Sequence, residues 1–135
     1  MERVPVSLPI RAALIALASG DLSVAVPWKG VETDAFLAAL YREGLIGLAH
    51  RYIQESPHGG AVPAHLADRV REAHLVVSVR LAVAYQAIGR VLRRLRRSAP
   101  PFLVAKGPAV AQTLYPNLWL RTFSDVDIIV HQRDW

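Results

Sequence analysis

The sequence contains no cysteine, a single methionine and only two lysines among its sixteen basic residues. Without cysteine there are no disulfides, no thiolate nucleophile and no Cys-type zinc site, which fits a cytoplasmic home. Long charge-free runs are missing too. The longest stretch without Asp, Glu, Lys or Arg is residues 107–120, and it contains Pro108, Pro116 and Asn117, well short of the roughly 20 apolar residues a spanning helix needs. On that count a transmembrane reading is excluded and no membrane partner is expected. Residues 12–18 imitate a signal peptide's apolar run, but Arg11, Pro5 and Pro9 precede it, and an amphipathic helix explains the same residues. There is no Gly-x-Ser-x-Gly, no Gly-x-Gly-x-x-Gly and no Walker lysine loop, so the usual serine-hydrolase, dinucleotide and P-loop signatures are absent. The five histidines, at positions 50, 58, 65, 74 and 131, never stand at i and i+4, and no histidine metal site is expected.

What is present is apolar. At 135 residues, with 53% hydrophobic and 20% charged side chains, the chain can build one domain, or one plus a piece of another, and is too apolar for a disordered tail. The net charge of +5 is concentrated: Arg90, Arg93, Arg94, Arg96 and Arg97 fall within eight residues. Such a stripe could meet phosphate, yet arginines near a helix C-terminus also suit the macrodipole and keep an apolar helix soluble, which is the favoured reading. The tryptophans Trp28, Trp119 and Trp135 and the tyrosines Tyr41, Tyr52, Tyr85 and Tyr115 are scattered, as packing residues are, and do not form a base-stacking platform.

Helical spacing of apolar residues predicts a first helix over 7–19, with Ser7 as N-cap and Gly20 as stop. After a Pro/Gly loop around Trp28, Thr33 is placed to cap a second helix carrying Phe36, Leu37, Leu40 and Tyr41, interrupted by Gly44. Helix resumes over 45–55, and 56–62 reads as a linker. From Pro63 to about Ser98 there is no proline and one glycine, predicting one long helix or two stacked ones. Val77, Leu81, Ala84, Ile88, Val91, Leu92 and Leu95 share one face, with Arg90, Arg93, Arg94 and Arg97 opposite. Pro100 and Pro101 end it. The pattern then changes: 102–105 reads as a buried strand, 108–114 as a short helix with Pro108 in its first turn, and 125–131 as a second strand, together the start of an α/β unit. Residues 1–98 form a helical region and 99–135 the opening of a second, incomplete core.

The chemistry is concentrated in Ser124-Asp125-Val126-Asp127-Ile128-Ile129-Val130. Residues two apart in a strand share a face, so Asp125 and Asp127 present neighbouring carboxylates about 7 Å apart at the backbone. Two such anions repel unless a cation lies between them, and hard oxygen ligands at this spacing suit magnesium. The plainer alternative is a polar turn in which Ser124 and Asp125 bond the backbone. Upstream, 102–107 delivers Lys106 and Gly107 into a helix start, where free amides and the dipole favour phosphate.

Lys106-Gly107, Leu114-Tyr115-Pro116, Arg121 and residues 124–130, in that order, resemble the DNA polymerase β-like nucleotidyltransferase superfamily, in its mostly uncharacterised bacterial branch. The likeness is strongest over 92–135 and extends weakly upstream to Trp28 and the helices after it. It implies an α+β fold, a mostly helical N-terminal region followed by the first strand, helix and strand of the catalytic sheet. It also implies that Asp125 and Asp127 bind two magnesium ions, that Gly107, Ser124 and Lys106 hold the triphosphate, and that Arg121 assists. The implied reaction transfers a nucleoside monophosphate from a nucleoside triphosphate to a small-molecule, peptide or protein acceptor.

The superfamily's Gly-Ser pair is here Gly107-Pro108. Its third carboxylate lies on a later strand, and Asp134 is too near the pair to serve, so the chain is expected to be an N-terminal fragment whose own catalysis stays open. The competing reading is a non-catalytic helical module that binds a protein or nucleic acid through the arginine stripe, nucleic acid being the less favoured partner of the two. A phosphotransferase using the same acids on a γ-phosphate is a lesser option.

Overall fold

A computed structural model of the chain describes residues 7–134; Pro5 and Trp135 lie outside them. The element order is α1 (Leu8–Ala18), α2 (Thr33–Glu43), α3 (Ile46–Glu55), α4 (Ala64–Ser98), β1 (Phe102–Ala105), α5 (Gly107–Leu114) and β2 (Asp127–Val130), with short 3-10 turns at Gly59–Ala61, Leu118–Leu120 and Gln132–Asp134. The fold is α+β: mostly helical, with one two-stranded sheet near the C-terminal end. The chain divides into two compact units within α4, one up to Leu75 and one from Val76 onward.

In the first unit the apolar spacing has the effect expected. Ile10, Ala13 and Leu17 of α1, Phe36, Leu37 and Leu40 of α2, Ile46, Ala49 and Tyr52 of α3, and Leu66 and Val70 of α4 are buried; each large apolar side chain so enclosed contributes about 1.5–3 kcal/mol. Ser7 precedes α1 with no side-chain cap bond. The cap of α2 is not Thr33 but Glu32, whose carboxylate accepts from the N–H of Asp34 and Ala35. Those two bonds, Ala35's first, hold the Glu32 carboxyl below its ordinary pKa. Thr33 is instead the first helical residue. Gly44 closes α2 at φ 68°, a left-handed conformation that costs glycine little. The loop before α2 is tied down by Tyr52, whose hydroxyl donates to the Val24 carbonyl at 2.9 Å and accepts from the Val26 N–H at 3.2 Å. Trp28 packs edge-on against Phe36.

The long run after Pro63 is one continuous 35-residue helix, not two stacked ones. Val77 and Leu81 are buried as the periodicity predicts, but Val91, placed on the same face, is 55% exposed. The count that excluded a membrane span did not register α4. It rested on charge-free length, whereas α4 tolerates a few charges and is long and apolar enough to cross a bilayer by length and composition; only 11% of its most apolar window is buried.

In the second unit β1 has its expected bounds but is not a buried strand: Leu103 is 70% exposed. Nor do the strands make a parallel α/β crossover. They pair antiparallel, with Phe102 opposite Val130, Leu103 opposite Ile129, Val104 opposite Ile128 and Ala105 opposite Asp127. The second strand starts two residues later than its sequence pattern suggests, so Asp127 opens it and Asp125 lies in the irregular segment before it.

Candidate active site

The site forms where β1 passes into α5 and faces the start of β2. Because Ala105 pairs with Asp127, the next residue, Lys106, emerges beside that carboxylate. Its Nζ lies 2.8 Å from Asp127 Oδ2, an oxygen that is itself buried. The direct side-chain contact with Asp127, then its charge, and at longer range the charge of Asp125 push the Lys106 ammonium above its ordinary pKa.

Lys106 has φ 52° and ψ −139°, a region nearly reserved for glycine and costly for other residues. Gly107 follows as the first residue of α5 and is buried. A Cβ at Gly107 would stand 2.9 Å from the Asp125 carbonyl oxygen and 2.9 Å from Phe123 Cβ. Only glycine allows this approach without a shift, and through it the helix start is packed against the backbone that carries the acids. Of the first donors of α5, Pro108 has no N–H and that of Val110 goes to the Lys106 carbonyl at 2.8 Å, which leaves the amides of Gly107 and Ala109 at the positive end of the dipole.

Lys106, Gly107, Asp125 and Asp127 are therefore brought together. Arg121 and Ser124 lie on the same connecting segment, both exposed, and neither makes an ion pair or a side-chain hydrogen bond among the described residues. Asp125 likewise makes no side-chain bond to the backbone, so the polar-turn alternative lacks the hydrogen bonds that defined it. No group of three metal-ligating side chains occurs among the described residues.

Two supporting residues escape the sequence pattern. Phe123 walls Gly107, and Tyr85 of α4 lies edge-on to Phe123 at 5.2 Å and to Trp119 at 6.4 Å. Burial raises the Tyr85 phenol pKa, and its buried hydroxyl has no hydrogen-bond partner among the described residues. An aromatic two positions before an Asp-x-Asp was the available signal, but only the packing shows what it does.

Residues 29–135 match the sequence model of the family described as uncharacterised nucleotidyltransferase. The chain belongs to that family. The match covers α2 through β2 of this nucleotidyltransferase-family protein and includes the whole segment from Lys106 to Asp127. No curated protein and no solved structure matches it.

Proposed function

We propose that this nucleotidyltransferase-family chain carries the nucleotide-handling part of a magnesium-dependent transfer. An acceptor hydroxyl or amine attacks the α-phosphate of a nucleoside triphosphate, the new O–P or N–P bond forms, and pyrophosphate leaves with the electron pair of the broken P–O bond. The observation that carries the reading is the meeting of Lys106-Gly107 with the Asp125/Asp127 segment at the start of an eight-residue helix.

The donor set fits a hard divalent cation. Asp127 offers a buried oxygen met by the Lys106 ammonium at 2.8 Å, Asp125 an exposed carboxylate two residues away, and carboxylates with water and phosphate oxygens are what magnesium takes. Asp125 and Asp127 would hold the metal. When bound, magnesium supplies neutralisation of charge on the phosphates and a lowered acceptor pKa. The chain's own groups then orient the nucleotide: the Gly107 amide and the Ser124 hydroxyl toward phosphate oxygens, Lys106 and Arg121 as cations. Preorganised donors of this kind favour the transition state because little reorganisation remains at the moment of reaction.

The test is nucleotide binding by calorimetry with and without Mg²⁺, in the wild type and in Asp125→Asn and Asp127→Asn. Magnesium-dependent binding lost in both variants supports the reading; binding indifferent to both substitutions ends it. Product analysis of an active preparation, nucleotidyl against phosphoryl transfer, separates it from a γ-phosphate enzyme. The second reading, an interaction module, draws on one observation: Arg90, Arg93, Arg94, Arg96 and Arg97 are all exposed and make no ion pair among the described residues.

A further inference from the structure

Asp125 and Asp127 need a positive charge nearby, and in the structure it comes from the chain itself. Lys106 to Asp127 is the one ion pair among the described residues from Val76 onward. The choice of cation is informative. That unit holds eight arginines and a single lysine, yet the lysine is the one placed on the acid. A guanidinium fork grips a carboxylate through two bonds, whereas an ammonium is a compact point charge on a flexible stem and is released more readily. The Lys106 side chain is 76% exposed, so solvent screens the pair and its release costs little.

The backbone points the same way. At φ 52° and ψ −139° glycine would be the unstrained choice, and a long cationic side chain held there is an outlier of the kind that concentrates at functional sites. Gly107 is fixed by its approach to Phe123 and the Asp125 carbonyl, so the stem of Lys106 starts from a defined point. Its ammonium can then move between the acid and anything bound at the start of α5.

We propose that Lys106 is an exchangeable internal counter-ion, neutralising Asp127 before ligands bind and passing to the nucleotide's phosphates when a divalent cation takes over the carboxylate. This rests on the nucleotidyl-transfer reading and adds to it an order of affinities. A metal ion alone must displace the lysine and gains nothing for the displaced charge. With a triphosphate present the released ammonium acquires a partner, so metal and nucleotide promote each other's binding, and by linkage each does so by the same factor. Lys106 is thus a positioning residue that couples two ligands.

The test uses the full chain with Mn²⁺ as the probe, free Mn²⁺ being counted by electron paramagnetic resonance with and without a non-hydrolysable ATP analogue. After subtraction of the Mn²⁺ held by the analogue in a protein-free control, the wild type should bind Mn²⁺ on the order of tenfold more tightly when the analogue is present. In Lys106→Met, Mn²⁺ alone should bind about tenfold more tightly than to the wild type, and the effect of the analogue should fall toward none. Lys106→Gly, which also relieves the backbone, should behave the same way and decides the matter if circular dichroism shows the methionine variant misfolded. Lys29→Met removes the same charge elsewhere and should change neither quantity. Mn²⁺ affinity in Lys106→Met and Lys106→Gly no tighter than in the wild type, undiminished coupling, or an equal effect of Lys29→Met would overturn the counter-ion role while leaving the acids as ligands. Absence of Mn²⁺ binding by the wild type even with the analogue, or binding unchanged in Asp127→Asn, would instead remove the metal site, and this inference with it.

Discussion

In residues 7–75 the large apolar side chains Phe36, Leu40, Ile46 and Leu66 are closed off from water, whereas in residues 76–134 Leu103, Leu114, Ile128 and Ile129 stand exposed. Of the five ion pairs among the described residues four fall in the first group, on side chains that are exposed except for a partly covered Arg51, and the remaining one joins two residues of the candidate site. The contrast separates two jobs. Stability is concentrated where helices enclose one another, and groups able to meet a ligand are concentrated where enclosure is slight, as is usual for binding segments.

The contrast can be broken most forcefully at the core. Phe36→Ala or Leu40→Ala should cost about 2–5 kcal/mol in chemical denaturation, while Leu103→Ala or Ile129→Ala should stay within about 0.5 kcal/mol. Equal effects at the two places would erase the distinction. Next comes Gly107→Ala. Its new methyl meets backbone at Asp125 and the ring of Phe123, so a destabilisation of about 1–3 kcal/mol is expected from overpacking, together with loss of nucleotide binding by calorimetry.

Acid sharpens the comparison from the other side. His50 and His74 stack at 3.9 Å in the helical unit. Burial first, then Arg71, lowers the His50 pKa; burial first, then His50, lowers that of His74. Both are thus depressed below their ordinary 6.5, so the unfolded chain takes up protons before the folded one. The stability they confer is complete above that pH and is lost as pH falls from there through the folded values. Thermal unfolding should therefore shift downward over this window, and His50→Gln combined with His74→Gln should flatten the shift. The smallest effect belongs to the arginine stripe: Arg93→Ala, Arg94→Ala and Arg97→Ala together should change stability by about 0.5 kcal/mol or less. If the module reading holds, the same triple variant should lose a steep salt dependence of partner binding.

Punctuation made much of the fold legible. Pro63, Pro100, Pro101 and Gly44 bound helices within a residue or two of where they lie, and 102–105 is a strand to the residue. The cap of α2 falls one residue before the expected Thr33 because the longer Glu32 side chain reaches back over the amides of Asp34 and Ala35. The direction of strand pairing was illegible, since a strand, a helix and a strand of these lengths fit a parallel crossover as well as an antiparallel pair. For the site, residue types and order were readable, but the meeting of Lys106 with Asp127 depends on the register that sets Ala105 opposite the acid. With Leu103, Ile128 and Ile129 exposed, local spacing specifies that register only weakly.

The aromatic group behind Gly107 has an optical consequence. Trp119 and Phe123 both stand edge-on to Tyr85, and such fixed, asymmetric ring surroundings generate near-ultraviolet dichroism. Because Phe123 also walls the glycine at the helix start, a ligand that shifts that helix should leave a spectroscopic trace without any added dye or label.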